Sequence, residues 1–182
     1  MKNMNANKVL SVIKQNAIII LLILEVIYFS FATENFLSVT NLFNVLRQVA
    51  PTGMVCIGMT LVILTGGIDL SVGATVGMSV IICAECIVAG WAILPSALLA
   101  IFAATVVGYI NGLLIADIGI PAFIATLGTQ FGVRGIVYIY TNCMPVFGFP
   151  EEFRFLGQGY IFKIVPVPVV IMVVMLVIAW FY

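Results

Sequence analysis

The amino-acid sequence predicts an all-α fold, a polytopic integral membrane bundle of about six transmembrane helices with a broken segment near residues 65–71. Composition is the first reason, because 64% of the 182 residues are apolar and only 8% are charged, whereas soluble domains carry about 25% charged residues. The second reason is a series of uncharged runs long enough to cross a hydrocarbon core of about 30 Å. The third is the polar stretch Thr-Gly-Gly-Ile-Asp-Leu-Ser, which separates two of these runs.

Composition also excludes several classes of protein. The net charge is zero and no basic stripe is present, so we expect no nucleic-acid partner. The Cys83-Ala-Glu-Cys86 motif lacks a second cysteine pair and the sequence has no histidine, so we expect no metal site and no other cofactor. No Gly-x-x-x-x-Gly-Lys-Ser/Thr phosphate loop is present, so we expect no ATP hydrolysis and assign no catalytic residue.

The N-terminal tail, residues 1–16, carries only basic charges, at Lys2, Lys8 and Lys14. The positive-inside rule therefore places this tail in the cytoplasm, and residues 17–182 form the transmembrane domain. A cleaved signal peptide is the alternative, because Ser30-Phe31-Ala32 resembles a cleavage site after the apolar run that begins at Ala17. Glu25 lies within that run and is expected either to face the bundle interior or to reach an interface.

The following segments define the remaining helices. Asn35–Gln48 reads as a short amphipathic helix at the membrane surface, capped by Thr40 or Asn41, that enters the second span at Pro51. Further spanning helices are predicted from the uncharged or apolar runs at 48–68, 72–90, 95–116, 121–140 and 164–182. The polar residues 141–163 form the longest connection, which lies outside if five spans precede it.

The broken segment is the strongest candidate site. A charge at membrane depth costs about 2.5–3.5 kcal/mol, and irregular backbone is tolerated there only where protein or a water-filled cavity supplies hydrogen bonds. We therefore expect Gly66, Gly67, Asp69 and Ser71 to line a polar interior, with Asp69 or Ser71 capping the next helix. The alternative is that Asp69 only caps this helix, pairs with Arg134 and touches no solute.

Other polar and aromatic side chains extend this candidate site. Asn111 is either an interhelical hydrogen-bond donor, which we favour, or part of a polar path, and Thr126 belongs to a row of small and hydroxyl residues. Phe123, with Tyr138 and Tyr140, is a candidate contact for a ring-shaped solute, although aromatic residues in spanning helices more often pack or anchor at interfaces.

Four ordered motifs carry a resemblance to a known family. They are Phe36-Leu-Ser-Val-Thr-Asn-Leu-Phe-Asn-Val-Leu-Arg-Gln48, Gly58-Met-Thr-Leu-Val-Ile-Leu-Thr-Gly-Gly-Ile-Asp-Leu-Ser-Val-Gly73, Asn111-Gly112 and Ile120-Pro-Ala-Phe-Ile-Ala-Thr-Leu-Gly128. Together they resemble the ribose, xylose, arabinose and galactoside permeases of bacterial ATP-binding-cassette importers, over about Phe36 to Val169.

The resemblance implies a translocation pathway for a monosaccharide such as ribose in the bacterial cytoplasmic (inner) membrane. The implied partners are a second permease subunit in a homo- or heterodimer, cytoplasmic ATP-binding subunits that hydrolyse ATP, an extracytoplasmic sugar-binding protein, and membrane lipid. Glu151, Glu152 and Arg154 in the long connection are the candidate docking residues for the binding protein, with a merely solvated connection as the alternative.

Members of that family run to roughly three hundred residues and carry the ATPase-docking loop in their second half, so we expect this chain to be an N-terminal fragment. Three other functions stay open. An ion-coupled secondary transporter would use Asp69, Glu85 and Glu25, although no second Gly-Gly-x-Asp break is present. The others are an inert membrane fragment and a branched-chain amino acid permease, whose charged substrate asks for more intramembrane charge.

Overall fold

The computed structural model describes residues 11, 14–162 and 164–181, and within them the chain is almost entirely helical. The elements in order are α1 (Ala17–Ala32), α2 (Val39–Leu64), α3 (Val72–Val88), α4 (Ile93–Ala116), α5 (Ala122–Thr141), α6 (Glu151–Gln158), β1 (Tyr160–Ile161), β2 (Val165–Pro166) and α7 (Val167–Trp180). The all-α membrane bundle that the sequence predicts is thus confirmed. Lys2 and Lys8 of the predicted N-tail lie outside the described residues.

Three of these helices, α2, α4 and α5, are long and apolar enough to cross a membrane. The other apolar helices, α1, α3 and α7, have 16, 17 and 14 residues. At 1.5 Å per residue, the 17 residues of α3 span about 25 Å, slightly less than a hydrocarbon core. Its shortness follows from the broken segment, which occupies the seven positions before it.

The chain divides into two compact units, Met1–Leu46 and Arg47–Tyr182. In the first unit, the Phe29 and Phe36 rings stack with their centroids 5.7 Å apart. Ser38 caps α2, because its hydroxyl accepts a hydrogen bond from the backbone N–H of Asn41 at 3.2 Å. The prediction that Thr40 or Asn41 provides this cap is therefore wrong.

Helix α2 also corrects the predicted surface helix over 35–48. The helix is continuous from Val39 to Leu64 and contains Pro51, so no separate helix ends before the proline. Pro51 has no N–H to donate to the carbonyl of Arg47, and the residue before a proline disfavours helical backbone, which is why the sequence suggested a boundary there. Proline within a helix is tolerated in membrane proteins, where nearby groups satisfy the freed carbonyl.

The core of the second unit is the three-helix group α3, α4 and α5. Cys83 and Ile87 of α3 pack against Ala100 of α4, whereas Ser71 at the start of α3 bonds Asn111 near the end of α4, so these two helices are antiparallel. Leu70, just before α3, bonds Thr126 in the second turn of α5. Further along both helices, Gly77 of α3 and Arg134 of α5 line one recess, so α3 and α5 run parallel.

Small residues allow these helices to approach closely. Ala84 is 2% exposed and Ser96 is fully buried, and neither has a side chain that would hold the helix backbones apart. In a bilayer this packing replaces the hydrophobic driving force of a soluble core, because lipid tails are as apolar as leucine.

The polar connection after α5 is partly structured. Helix α6 and a short antiparallel hairpin, with Tyr160 opposite Pro166 and Ile161 opposite Val165, lead directly into α7. The Val167 amide donates to the carbonyl of Gly159 at 3.0 Å and closes this turn. The final helix, α7, begins at Val167 and is therefore shorter than the helix predicted from the uncharged run at 164–182.

We predict that a matched pair of isoleucine substitutions distinguishes a side chain packed in the three-helix core from one on the outer surface of these helices. Ile87→Ala removes a side chain that is 6% exposed and should cost on the order of 2 kcal/mol through the cavity it leaves. Ile101→Ala makes the same change at a side chain that is 62% exposed and should cost much less. Thermal unfolding of the detergent-solubilised chain measures both, and equal shifts would contradict the assignment of the core.

Candidate functional site at the helix break

The end of α2 explains the first glycine of the broken segment, Gly66. The Gly66 amide donates to the carbonyl of Ile63 at 2.9 Å, and the Gly67 amide donates to the carbonyl of Val62 at 3.3 Å. This pair of bonds is the Schellman motif, which requires a left-handed residue at the first glycine position. Gly66 has φ of +79°, a conformation that side chains rarely adopt. Gly66 therefore lets the chain turn sharply while the last helical carbonyls of α2 stay bonded.

Asp69 caps the start of α3. One carboxylate oxygen, Oδ1, accepts hydrogen bonds from the Ser71 amide at 2.8 Å and from the Ser71 hydroxyl at 2.6 Å. Ser71 is the residue that precedes α3, and its own side chain makes no capping bond. Of the two predicted caps, Asp69 thus binds the amide at this helix terminus, where a negative charge is favoured by the helix dipole.

A chain of hydrogen bonds links the break to both neighbouring helices. The Asn111 side-chain amide donates to the Ser71 hydroxyl at 2.9 Å, and the Thr129 hydroxyl donates to Asn111 Oδ1 at 2.6 Å. Ser71 and Asn111 are buried, with 1% and 4% of their surface exposed. The favoured interpretation of Asn111 as an interhelical donor is confirmed.

Thr126 fixes the backbone of the break against α5. Its hydroxyl accepts a hydrogen bond from the Leu70 amide at 3.1 Å and lies 3.1 Å from the carbonyl of Ile68. It also lies 2.7 Å from the Ala122 carbonyl of its own helix. Thr126 is 1% exposed, so this hydroxyl replaces the water that irregular backbone would otherwise need.

A cavity of about 570 Å³ adjoins the break. Its walls include the break residues Gly66, Gly67 and Asp69, together with Asn111 and Thr126 from the neighbouring helices. Asn111 lies five residues before the end of α4 and Thr126 four residues after the start of α5, distances of about 6–8 Å along each helix. The break therefore lies about one turn from one end of the three-helix group.

Comparison with known proteins identifies the family. A sequence model described as the branched-chain amino acid transport system / permease component matches residues 41–182. The chain belongs to this permease family. Its apolar helices and its relatives make it a multi-pass membrane protein.

Several curated import permeases are similar to the chain. The ribose import permease protein of Bacillus subtilis (strain 168) is 43% identical over 161 residues, which cover 87% of this chain and 50% of that protein. The ribose import permease protein of Escherichia coli (strain K12) is 38% identical over 176 residues, covering 92% and 53%. The galactose/methyl galactoside import permease protein of the same strain is 30% identical, covering 88% and 52%. The permease chain thus spans about half the length of these relatives, and no solved structure matches it.

Two residues of the predicted site, Ser71 and Phe123, are not part of the cavity wall. Ser71 is buried, and its hydroxyl bonds Asp69 and Asn111. Phe123 is 54% exposed on α5.

Arg134 makes no ion pair with any acid in the described part of the chain; its Nε donates to the Tyr138 hydroxyl at 2.9 Å, and its guanidinium lies 5.5 Å from the centre of that ring. The proposed pairing of Asp69 with Arg134 is therefore wrong.

The charged residues of the permease's long connection lie on α6. Glu151 and Glu152 occupy its first turn, and Arg154 Nη2 lies 3.5 Å from Glu151 Oε1. The two side chains of this pair are 90% (Glu151) and 56% (Arg154) exposed, so the pair contributes little to stability. These charges are displayed on a defined helix.

Sequence reasoning left Thr129 out of the site. The signal was the spacing of Thr126 and Thr129, which places two hydroxyls three residues apart on one face of α5. The sequence gave no indication that this face meets Asn111, since that contact depends on how α4 and α5 pack.

We predict that Thr129 and Asn111 are energetically coupled in the permease. Thr129→Val keeps the side-chain shape and removes the hydroxyl that contacts both Asn111 and the Ala125 carbonyl of its own helix, so the free energy of unfolding should fall by about 1 kcal/mol. Thr105→Val is the matched control, because the Thr105 hydroxyl bonds only the Ile101 carbonyl in its own helix. In a double-mutant cycle with Asn111→Ala, a coupling energy near zero would contradict the interhelical bond.

Proposed function

We propose that this permease chain lines the translocation pathway of an ATP-binding-cassette importer for a monosaccharide such as ribose. The observation that carries the proposal is the break itself, whose polar backbone and side chains form part of the wall of a 570 Å³ cavity between α4 and α5. The printed names of the similar proteins, import permeases for ribose and galactose, indicate the class of solute.

The chemistry of the cavity suits a neutral, hydroxyl-rich solute. Asp69 Oδ1 is occupied by Ser71, whereas Oδ2 has no hydrogen-bond partner among the described residues and is available to a hydroxyl donor. Asn111 lies in the same wall and holds Ser71 in place. A single carboxylate with no neighbouring cation gives little basis for holding an amino acid zwitterion, which favours a sugar over a branched-chain amino acid.

We infer that the chain lies in a bacterial inner membrane with its N-terminus on the cytoplasmic side. The three N-terminal lysines support it through the positive-inside rule. If α1 to α5 each cross the membrane, α6 lies outside and the break lies toward the cytoplasmic face. ATP hydrolysis then belongs to cytoplasmic ATP-binding subunits, and a second permease subunit completes the pathway.

Uptake of labelled ribose tests this proposal in a strain that lacks its own ribose permease but keeps the matching ATP-binding subunit and binding protein. We predict that expression of the gene encoding this chain restores uptake that withstands a protonophore and is lost when cellular ATP is depleted. Asp69→Asn retains an acceptor for Ser71 and should lower the rate by about tenfold, since the lost charge weakens the bond offered to a sugar hydroxyl.

Each other outcome identifies an alternative. Uptake abolished by the protonophore alone would indicate an ion-coupled secondary transporter, and uptake of leucine in preference to ribose would indicate an amino acid permease. Chain that inserts at normal levels without any uptake would indicate a non-functional membrane fragment. Thr105→Val serves as the matched control and should leave the rate unchanged.

We further propose that α6 docks the extracytoplasmic binding protein through Glu151, Glu152 and Arg154. Glu152 lies outside the ion pair, so its charge is free to meet a partner. We predict that Glu152→Lys raises the binding-protein concentration needed for half-maximal uptake by about fivefold and reverses its dependence on salt. Glu34→Lys changes an exposed acid outside α6 and should have no effect. Equal effects of the two variants would contradict docking at α6.

A further inference from the structure

A second recess is lined by residues of the parallel helices α3 and α5. Its volume is about 370 Å³, within the range of roughly 300–1,000 Å³ typical of small-molecule sites. Gly73, Gly77 and Met78 from α3 and Gln130, Arg134 and Tyr138 from α5 line it. No residue of α4 contributes to it, so this α3–α5 groove is distinct from the cavity at the break.

The side-chain amide of Gln130 and most of the Arg134 guanidinium have no hydrogen-bond partner among the described residues. Of the five N–H groups of the Arg134 guanidinium, only Nε–H has a partner there, the Tyr138 hydroxyl. At the break, by contrast, the Ser71, Asn111 and Thr129 side chains bond one another.

Exposing unpaired polar groups such as these to lipid hydrocarbon would cost several kcal/mol of free energy. Arg134 lies seven residues before the end of α5, about 10 Å along the helix, within a segment apolar enough to cross a membrane. Intramembrane cations almost always face protein or a water-filled space, since their cost in hydrocarbon is several kcal/mol. The face of α3 and α5 that carries Gln130 and Arg134 is therefore expected to meet water or a polar ligand.

The floor of the groove leaves room for that ligand. A Cβ atom built on Gly73 or Gly77 meets no other atom within 4 Å, so these glycines are not required for helix packing within this chain. Glycine inside a helix costs about 1 kcal/mol relative to alanine. Because Gly73 and Gly77 have no packing role within the described residues, the effect of glycine at these two positions is to leave open space in the groove.

We propose that the α3–α5 groove is a monosaccharide-contact site, with Gln130 and Arg134 as the groups that bond sugar hydroxyls and Tyr138 positioning the guanidinium. This inference rests on the proposed function, which supplies the solute. The amide of Gln130 both donates and accepts, as a polyhydroxyl solute requires, whereas a phosphate group only accepts and leaves the Gln130 carbonyl unpaired. Arg134 is the single cation in the groove lining, and its free N–H groups can donate to the hydroxyl and ring oxygens of a sugar.

Ribose uptake in the strain described above gives the first test. Gln130→Met and Arg134→Met keep bulk and remove the polar groups, and Gly77→Leu places a bulky side chain in the groove from a position where a Cβ atom meets nothing within 4 Å. All three should lower the maximal rate by about tenfold or more at equal membrane abundance. Gly132→Leu is the matched control, because it also meets nothing within 4 Å and lies outside the groove lining. Equal rates for Gly77→Leu and Gly132→Leu would overturn the proposal.

Thiol labelling gives a test that does not depend on uptake. In a chain whose four native cysteines are replaced by serine, Gly77→Cys should react with a water-soluble maleimide, and millimolar ribose should slow the reaction. Gly132→Cys should show no effect of ribose. Labelling and protection without any uptake would support the groove while refuting the importer function; uptake without labelling of Gly77→Cys would refute the groove alone. Stabilisation by phosphatidylglycerol that Arg134→Met abolishes, with uptake unchanged, would identify a lipid phosphate instead.

Discussion

The structure depends on one constraint: backbone that leaves the helical conformation within a membrane must find its hydrogen-bond partners in the protein. The seven residues between α2 and α3 meet this constraint from both sides. At the first end, the amides of Gly66 and Gly67 bond the last turn of α2. At the second, the Asp69 carboxylate takes the amide of Ser71, and Thr126 bonds the backbone at Leu70. The break is therefore a rigid feature held by several elements.

The same bonds set the arrangement of the helices. Because Asn111 is bonded to Ser71 and Thr129, it fixes α4 between the start of α3 and the third turn of α5. A buried amide that is bonded through both its nitrogen and its oxygen specifies one register, since sliding either helix by a residue would leave polar groups unpaired in an apolar surrounding. The parallel course of α3 and α5 follows. Two recesses accompany it, one at the break beside α4 and the other lined by α3 and α5 without α4.

This arrangement separates two uses of polar residues in the permease. Ser71, Asn111 and Thr129 stabilise the fold through bonds to one another, so most of their hydrogen-bonding capacity is spent internally. Gln130 and Arg134 keep free donors in a recess with a glycine floor. For the proposed import of a neutral sugar, successive weak contacts serve better than one tight site, because strong binding would slow release. Two modest polar recesses on a rigid helix pair meet that requirement.

The sequence by itself determined the fold class, the positions of most helices and the existence of the break. Those properties follow from local features: long apolar runs, glycines that permit a left-handed turn, and a carboxylate that must be buried with partners. The same local features gave a wrong helix boundary at Pro51, because packing within a longer helix overrides the boundary that the proline suggests. They also did not predict that residues 151–158 of the polar connection form α6. Only the tertiary structure decided that Arg134 meets Tyr138 rather than an acid, that Thr129 joins Asn111, and that the break lies near one end of the helices. Each of these depends on which helix faces meet, and a membrane sequence of small and apolar residues allows many such pairings until the polar groups are brought into register.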